Sequence, residues 1–193
     1  MGYNATCRRH QPRAIGSIRR YAVSESSQLP NANEVLSMGI IRVYADTSVF
    51  GGVFDEEFKV PARKFFEQVT SGEFALVTSA IVQDEIALAP MEVRRFFDEM
   101  LRLCDVAEVS EHALDLRDAY LHSRIVSSKY SDDALHVAVA TVSGCALIVS
   151  WNFKHIVHFQ KIPLYNAINA VQGYPQIAIY SPLEVIRYED EEI

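Results

Sequence analysis

Asp46 closes the run Ile40-Ile41-Arg42-Val43-Tyr44-Ala45 and is followed at once by two hydroxyls, Thr47 and Ser48. Glu85 falls on the helical spacing Ile81, Glu85, Leu88, which puts a carboxylate on an apolar stripe. Asp132 and Asp133 open an apolar stretch over 134–142, and Asn152 follows the run 146–150 much as Asp46 follows the first. Each of these has an ordinary structural reading. Asp46, Ser48 and Asn152 can cap turns or helices. Glu85 can pair with an arginine or sit at the wet edge of its stripe. Either Asp132 or Asp133 suits a helix dipole, a gain of about 0.3–1 kcal/mol. Taken together they suggest more. Two carboxylates about 4 Å apart repel by roughly 1 kcal/mol in water and by about 4 at an effective dielectric of 20. A cluster of them needs a cation, and hard oxygen donors with no thiolate or imidazole support point to Mg²⁺ or Mn²⁺. Such a centre activates a water and shields a phosphodiester during in-line displacement.

The elements that must bring these residues together are read from apolar periodicity. Short β-branched or aromatic runs predict strands at 40–45, 74–78, 105–109, 146–150 and 176–180. Between them the spacing predicts helices over 62–70 with Pro61 at N1, from Ser79 to about 88, over 91–103, and from about 110 to 125. Ser131 opens a helix to 142 that is apolar nearly all round and therefore buried. A short helix to Phe159, another over 164–171 and a final turn at Ser181-Pro182 complete the pattern. Strands alternating with helices predict an α/β fold, a three-layer sandwich with a mainly parallel central sheet. Ligands of such sheets bind beyond the carboxyl ends of the strands, which is where Asp46 stands.

Composition limits the alternatives. The chain has 193 residues, of which 49% are hydrophobic and 22% charged, ordinary for one globular domain. A net charge of −7 argues against a broad basic face for long duplex DNA but does not exclude a nuclease, whose carboxylates would add negative charge around a metal. Cys7, Cys104 and Cys145 are odd in number and far apart, which predicts reduced thiols and a cytoplasmic setting. No apolar run is long enough to span a bilayer. Residues 1–37 hold five arginines, two glutamates and no lysine. They read as a poorly ordered basic extension, and Met38 just ahead of the first strand reads as the true start. Lys154, Lys161, His155 and His158 surround Asn152; they are solvated surface or contacts for RNA phosphates.

These residues resemble the motifs of a known family. Tyr44-Ala45-Asp46-Thr47-Ser48-Val49 is similar to the first acidic motif of the PIN-domain ribonucleases, and Ser79 with Glu85 six residues later to the second. Asp133-Ala134-Leu135-His136-Val137-Ala138-Val139-Ala140 resembles the third. Ser150-Trp151-Asn152-Phe153 stands where the family often has Thr-x-Asp. Among PIN proteins the chain looks most like the VapC-like toxins of type II toxin–antitoxin systems, from about Met38 to Ile186. The resemblance implies a PIN domain over 38–193 and an endoribonuclease whose Asp46, Glu85 and Asp133 hold Mg²⁺ or Mn²⁺. Asn152 would complete the site, as a departure that brings an amide in place of a charge. It also implies an antitoxin partner, a homodimer and an RNA substrate. The competing expectation is a PIN-fold module, weakened by Asn152, that binds a protein or RNA without cutting it.

Overall fold

The computed structural model describes residues 40–188. The extension expected over 1–37 and the acidic tail lie outside the described residues. Five strands form one all-parallel sheet: β1 (Ile41–Ala45), β2 (Phe74–Ser79), β3 (Asp105–Ala107), β4 (Leu147–Val149) and β5 (Ala178–Tyr180), in the order β3-β2-β1-β4-β5. Both faces of the sheet are covered, so the ends of the central strands are apolar without alternation. Val43, Tyr44, Ala45, Val77, Ile148 and Val149 are fully buried. The helices are α1 (Thr47–Gly52), α2 (Lys59–Thr70), α3 (Ala80–Ile86), α4 (Met91–Met100), α5 (Glu111–His122), α6 (Ser131–Val142), α7 (Ile162–Val171) and α8 (Pro182–Val185).

The strand order fixes the layers. From β1 the chain steps to β2 and β3, then crosses back over β1 to β4 and β5. Parallel crossovers are right-handed, so the reversal moves the connecting helices to the other face. Accordingly α1 packs on α2 and α4, while α5 packs on α6 and α7. This is the three-layer α/β sandwich that the alternation predicts. The reversal leaves a crevice beyond the carboxyl ends of β1 and β4, which pair through Ala45 and Val149. That switch point is where doubly wound sheets bind ligands.

Several boundaries differ from expectation. A helix, α1, starts directly after Asp46, although Gly51-Gly52 and the β-branched residues give it little propensity. Gly52 is needed there: a Cβ would fall 2.5 Å from Trp151 Nε1. Helix α2 begins at Lys59, which puts Pro61 at N3 instead of N1; first-turn amides have no intrahelical acceptor, so the ring is tolerated. The short helix expected up to Phe159 is instead a series of turns. The Ile156 and Val157 amides both bond Asn152 O, and the His158 amide turns back to Ile156 O, so no helical ladder propagates. Helix α3 ends at Ile86, and its buried residues are Val82 and Ile86; Leu88 lies past its end, 91% exposed. The apolar stripe read through Ile81, Glu85 and Leu88 is therefore displaced, and Glu85 sits on its edge. Helix α6 is as predicted, buried from Ala134 through Thr141. Among the described residues, Cys104 and Cys145 are free thiols and no helix is long and apolar enough to cross a membrane.

Candidate active site

Asp46 lies immediately past β1 and is 4% exposed. Its carboxylate is held by two serines from opposite sides of the switch point. Ser48 Oγ donates to Oδ1 at 2.6 Å and Ser150 Oγ donates to Oδ2 at 2.6 Å. Each serine in turn accepts a backbone N–H from the turn after β4: Trp151 N–H on Ser48 at 2.8 Å, and Asn152 N–H on Ser150 at 2.8 Å. The chain leaving β4 is thus stitched to the chain leaving β1 through one carboxylate. Burial pushes the Asp46 carboxyl above its ordinary value, against the opposing pull of His136 and the two hydroxyls. Of the two hydroxyls that follow Asp46, Ser48 orients it and Thr47 serves a different acid.

Thr47 Oγ1 donates to Glu85, from helix α3. Glu85 also faces His136, whose Nε2 lies 3.3 Å from Oε2 and 3.4 Å from Oε1. The ordinary reading of an arginine partner is replaced by an imidazole, and the wet-edge reading holds in part, since the side chain is 36% exposed. His136 is itself buried and anchored from below: Tyr44 Oη lies 2.8 Å from Nδ1 and 2.7 Å from Ser79 Oγ. Burial works to raise the Glu85 carboxyl, but the His136 hydrogen bond and charge and the Thr47 bond bring it below its usual value. His136 is pushed down by burial and pulled up further by Glu85, Asp46 and Asp133, so it ends above the usual imidazole range.

Asp133 enters from the first turn of α6. Of the acidic pair, Asp132 is exposed and Asp133 half-buried. Burial raises the Asp133 carboxyl, with the His136 charge and the Asn152 hydrogen bond working the other way. Asn152 Nδ2 donates to Asp133 Oδ1 at 2.7 Å, while Asn152 Oδ1 accepts the His155 N–H at 3.0 Å. The amide therefore fills both of its readings: it caps the turn after β4 and joins the acids. Asp46, Glu85, Asp133 and Asn152 come to one edge of the sheet, and His136 is the neighbour common to the three acids. Sequence reasoning missed His136, Tyr44 and Ser150. A signal for His136 existed, because Asp133 and His136 are three apart on one helix and share a face.

A hard cation suits this donor chemistry. Glu85 faces the His136 imidazole, and Asp46 and Asp133 are raised by burial, the strain that an added positive charge relieves. As placed, the carboxylates are occupied by protein donors instead. Among the described residues, no three His, Cys, Asp or Glu side chains stand close enough together to hold a metal ion. Open grooves of about 460 Å³ beside Glu85 and about 500 Å³ beside Ser48 and Trp151 flank the acids.

A family model for the PIN domain matches residues 43–155, more than half of the chain. The chain belongs to the PIN-domain family. The matched span holds Asp46, Glu85, Asp133 and Asn152, and PIN domains are in general nucleases that use divalent metal ions. No curated protein matches the chain. Among solved structures, it is similar to a chain of VapBC2 from Rickettsia felis bound to a DNA fragment from its promoter, at 11% identity and a TM-score of 0.49, covering 73% of this PIN protein and 98% of that chain. It is also similar to a chain of FitAB bound to an IR36 DNA fragment, at 13% identity and a TM-score of 0.48, covering 78% and 99% respectively.

Proposed function

We propose that this PIN protein is a divalent-metal-dependent endoribonuclease, the toxin of a type II toxin–antitoxin pair. The observation that carries the reading is that Asp46, Glu85 and Asp133, from three separate elements, stand at the same edge of the sheet, where Ser48 and Ser150 hold Asp46, His136 lies against Glu85 and Asn152 bonds Asp133. Asp46, Glu85 and Asp133 would hold Mg²⁺ or Mn²⁺, which when bound polarises a phosphodiester oxygen and lowers the pKa of water. The chain's own residues set the acids for that task. Ser48 and Ser150 fix the plane of the Asp46 carboxylate, Thr47 and His136 fix Glu85, and Asn152 steadies Asp133 without adding a charge. The toxin assignment, with an antitoxin partner, a homodimer and a cytoplasmic setting, rests on the likeness of the four motifs to VapC-like proteins.

The test compares wild type and Asp46→Ala on RNA with Mg²⁺ and with EDTA. Cleavage should require the metal and be lost in the variant; a variant that cuts as fast as wild type would end the assignment. A second reading is a PIN-fold binding module without nuclease activity. Two observations favour it: Asn152 withholds a fourth charge, and the acids as placed are bonded to protein donors. Calorimetric titration separates the two, since no Mg²⁺ or Mn²⁺ binding at millimolar concentration supports the module.

A further inference from the structure

The chain has five lysines, and three of them gather at one spot beside the acids. Tyr130, in the turn before α6, stacks on His155 with ring centroids 3.9 Å apart and planes 30° apart. Lys129 Nζ and Lys154 Nζ lie 5.5 and 5.2 Å from the centre of the same Tyr130 ring. Lys161 Nζ is 2.9 Å from His155 Nδ1. Ammonium groups sharing one small aromatic stack repel one another, and folded proteins ordinarily place a carboxylate among them. Elsewhere this chain does so: Lys59 pairs with Glu56 at 2.8 Å and Arg42 with Asp105 at 2.7 Å. Among the described residues, no carboxylate lies within 4.0 Å of Lys129, Lys154 or Lys161.

The imidazole adds to the excess of donors. Lys161 has only N–H groups to give, so His155 Nδ1 accepts and the ring hydrogen resides on Nε2. That buried Nε2 has no hydrogen-bond partner. Burial and the Lys161 and Lys154 charges hold His155 below the usual imidazole range, which is what a local positive field does. The cluster is fastened to the acids, because His155 N–H bonds Asn152 and Asn152 bonds Asp133. We propose that Lys129, Lys154 and Lys161, arrayed on the Tyr130–His155 stack, seat a backbone phosphate of single-stranded RNA next to the position where the strand is cut. The proposal rests on the ribonuclease reading for its substrate, and it assigns the charge missing from an otherwise acidic protein to strand placement.

Fluorescence anisotropy with a short labelled single-stranded RNA tests this in EDTA, where cleavage cannot interfere. In the full chain, Lys154→Ala with Lys161→Ala should weaken binding by about tenfold and lower the slope of log K against log salt by about 0.7 for each phosphate no longer neutralised. Tyr130→Ala should bind weakly, and Lys59→Ala should change nothing. Circular dichroism of each variant checks that it is folded. A folded double-lysine variant with wild-type affinity and salt slope overturns the seat, as does wild-type protein that binds no RNA. Polyglutamate whose binding needs these lysines, with RNA binding indifferent to them, would assign the cluster to an acidic peptide and also overturn it. Lysine-dependent RNA binding by a protein that does not cut would support the seat while refuting the nuclease reading, so the two can fail separately.

Discussion

Ser150→Ala measures how firmly the fold holds its central acid. Ser150 is fully buried; its hydroxyl gives its proton to Asp46 Oδ2 at 2.6 Å and accepts the Asn152 N–H at 2.8 Å. A hydrogen bond to a charged group contributes about 1.5–3 kcal/mol, and a buried N–H left without an acceptor costs about 1–3 kcal/mol. Because both effects run through one atom and the turn can relax, the metal-free variant should be less stable by about 2–4 kcal/mol at pH 7. This is a large part of the stability of a domain of ordinary marginal stability. The pH dependence gives a sharper signature. Burial already holds Asp46 above its ordinary 3.8, so its ionised form subtracts stability above that pH, and protonation returns it as pH falls through the folded value. Losing a donor to the anion moves the folded value higher still, by about one unit per 1.36 kcal/mol. The deficit of Ser150→Ala should therefore be greatest near neutrality and shrink on acidification, leaving mainly the Asn152 share. Urea unfolding in EDTA at neutral and mildly acidic pH reads both quantities. A deficit under about 0.5 kcal/mol, or one that does not shrink with acid, refutes the reasoning that the serines hold an ionised Asp46.

Two further substitutions probe the same edge. Asn152→Asp replaces the N–H donor 2.7 Å from Asp133 with a second carboxylate, so the metal-free protein should melt lower and Mg²⁺ should raise its Tm by more than it raises that of wild type; an equal rise would count against Asp133 as a ligand. Tyr44→Phe removes the buried hydroxyl that joins Ser79 to His136, at a cost of about 1–3 kcal/mol in thermal unfolding, and should slow cleavage because His136 then holds Glu85 less well; unchanged cleavage would show that Glu85 does not depend on this support.

Much of this protein is legible from local pattern. Apolar runs bounded by turn residues locate the strands, and the all-round apolar stretch after Asp133 identifies the buried α6. Asp46 and Asp133 stand out because each adjoins such a run, and both fall within the span that the PIN family model matches. The boundaries that failed depend on neighbours instead. Position 52 within α1 must be glycine because Trp151, distant in the chain, leaves no room for a Cβ there. The turn after Asn152 stays a turn because its amides are committed to Asn152 itself.

The sequence by itself determined the alternation of strands and helices, and with it the residues that stand at strand ends, because hydrophobic periodicity is a property of adjacent positions. Tertiary structure alone decided what those residues do for one another. Ser150 reaches Asp46 across 104 positions and Tyr44 reaches His136 across 92. Only the reversal of strand order at β1 brings such pairs together. The same closure decides between Asp132 and Asp133, turns Asn152 into both a cap and a partner of Asp133, and gathers three lysines beside them. Periodicity says which side of an element faces inward; only packing says which other inward face it meets.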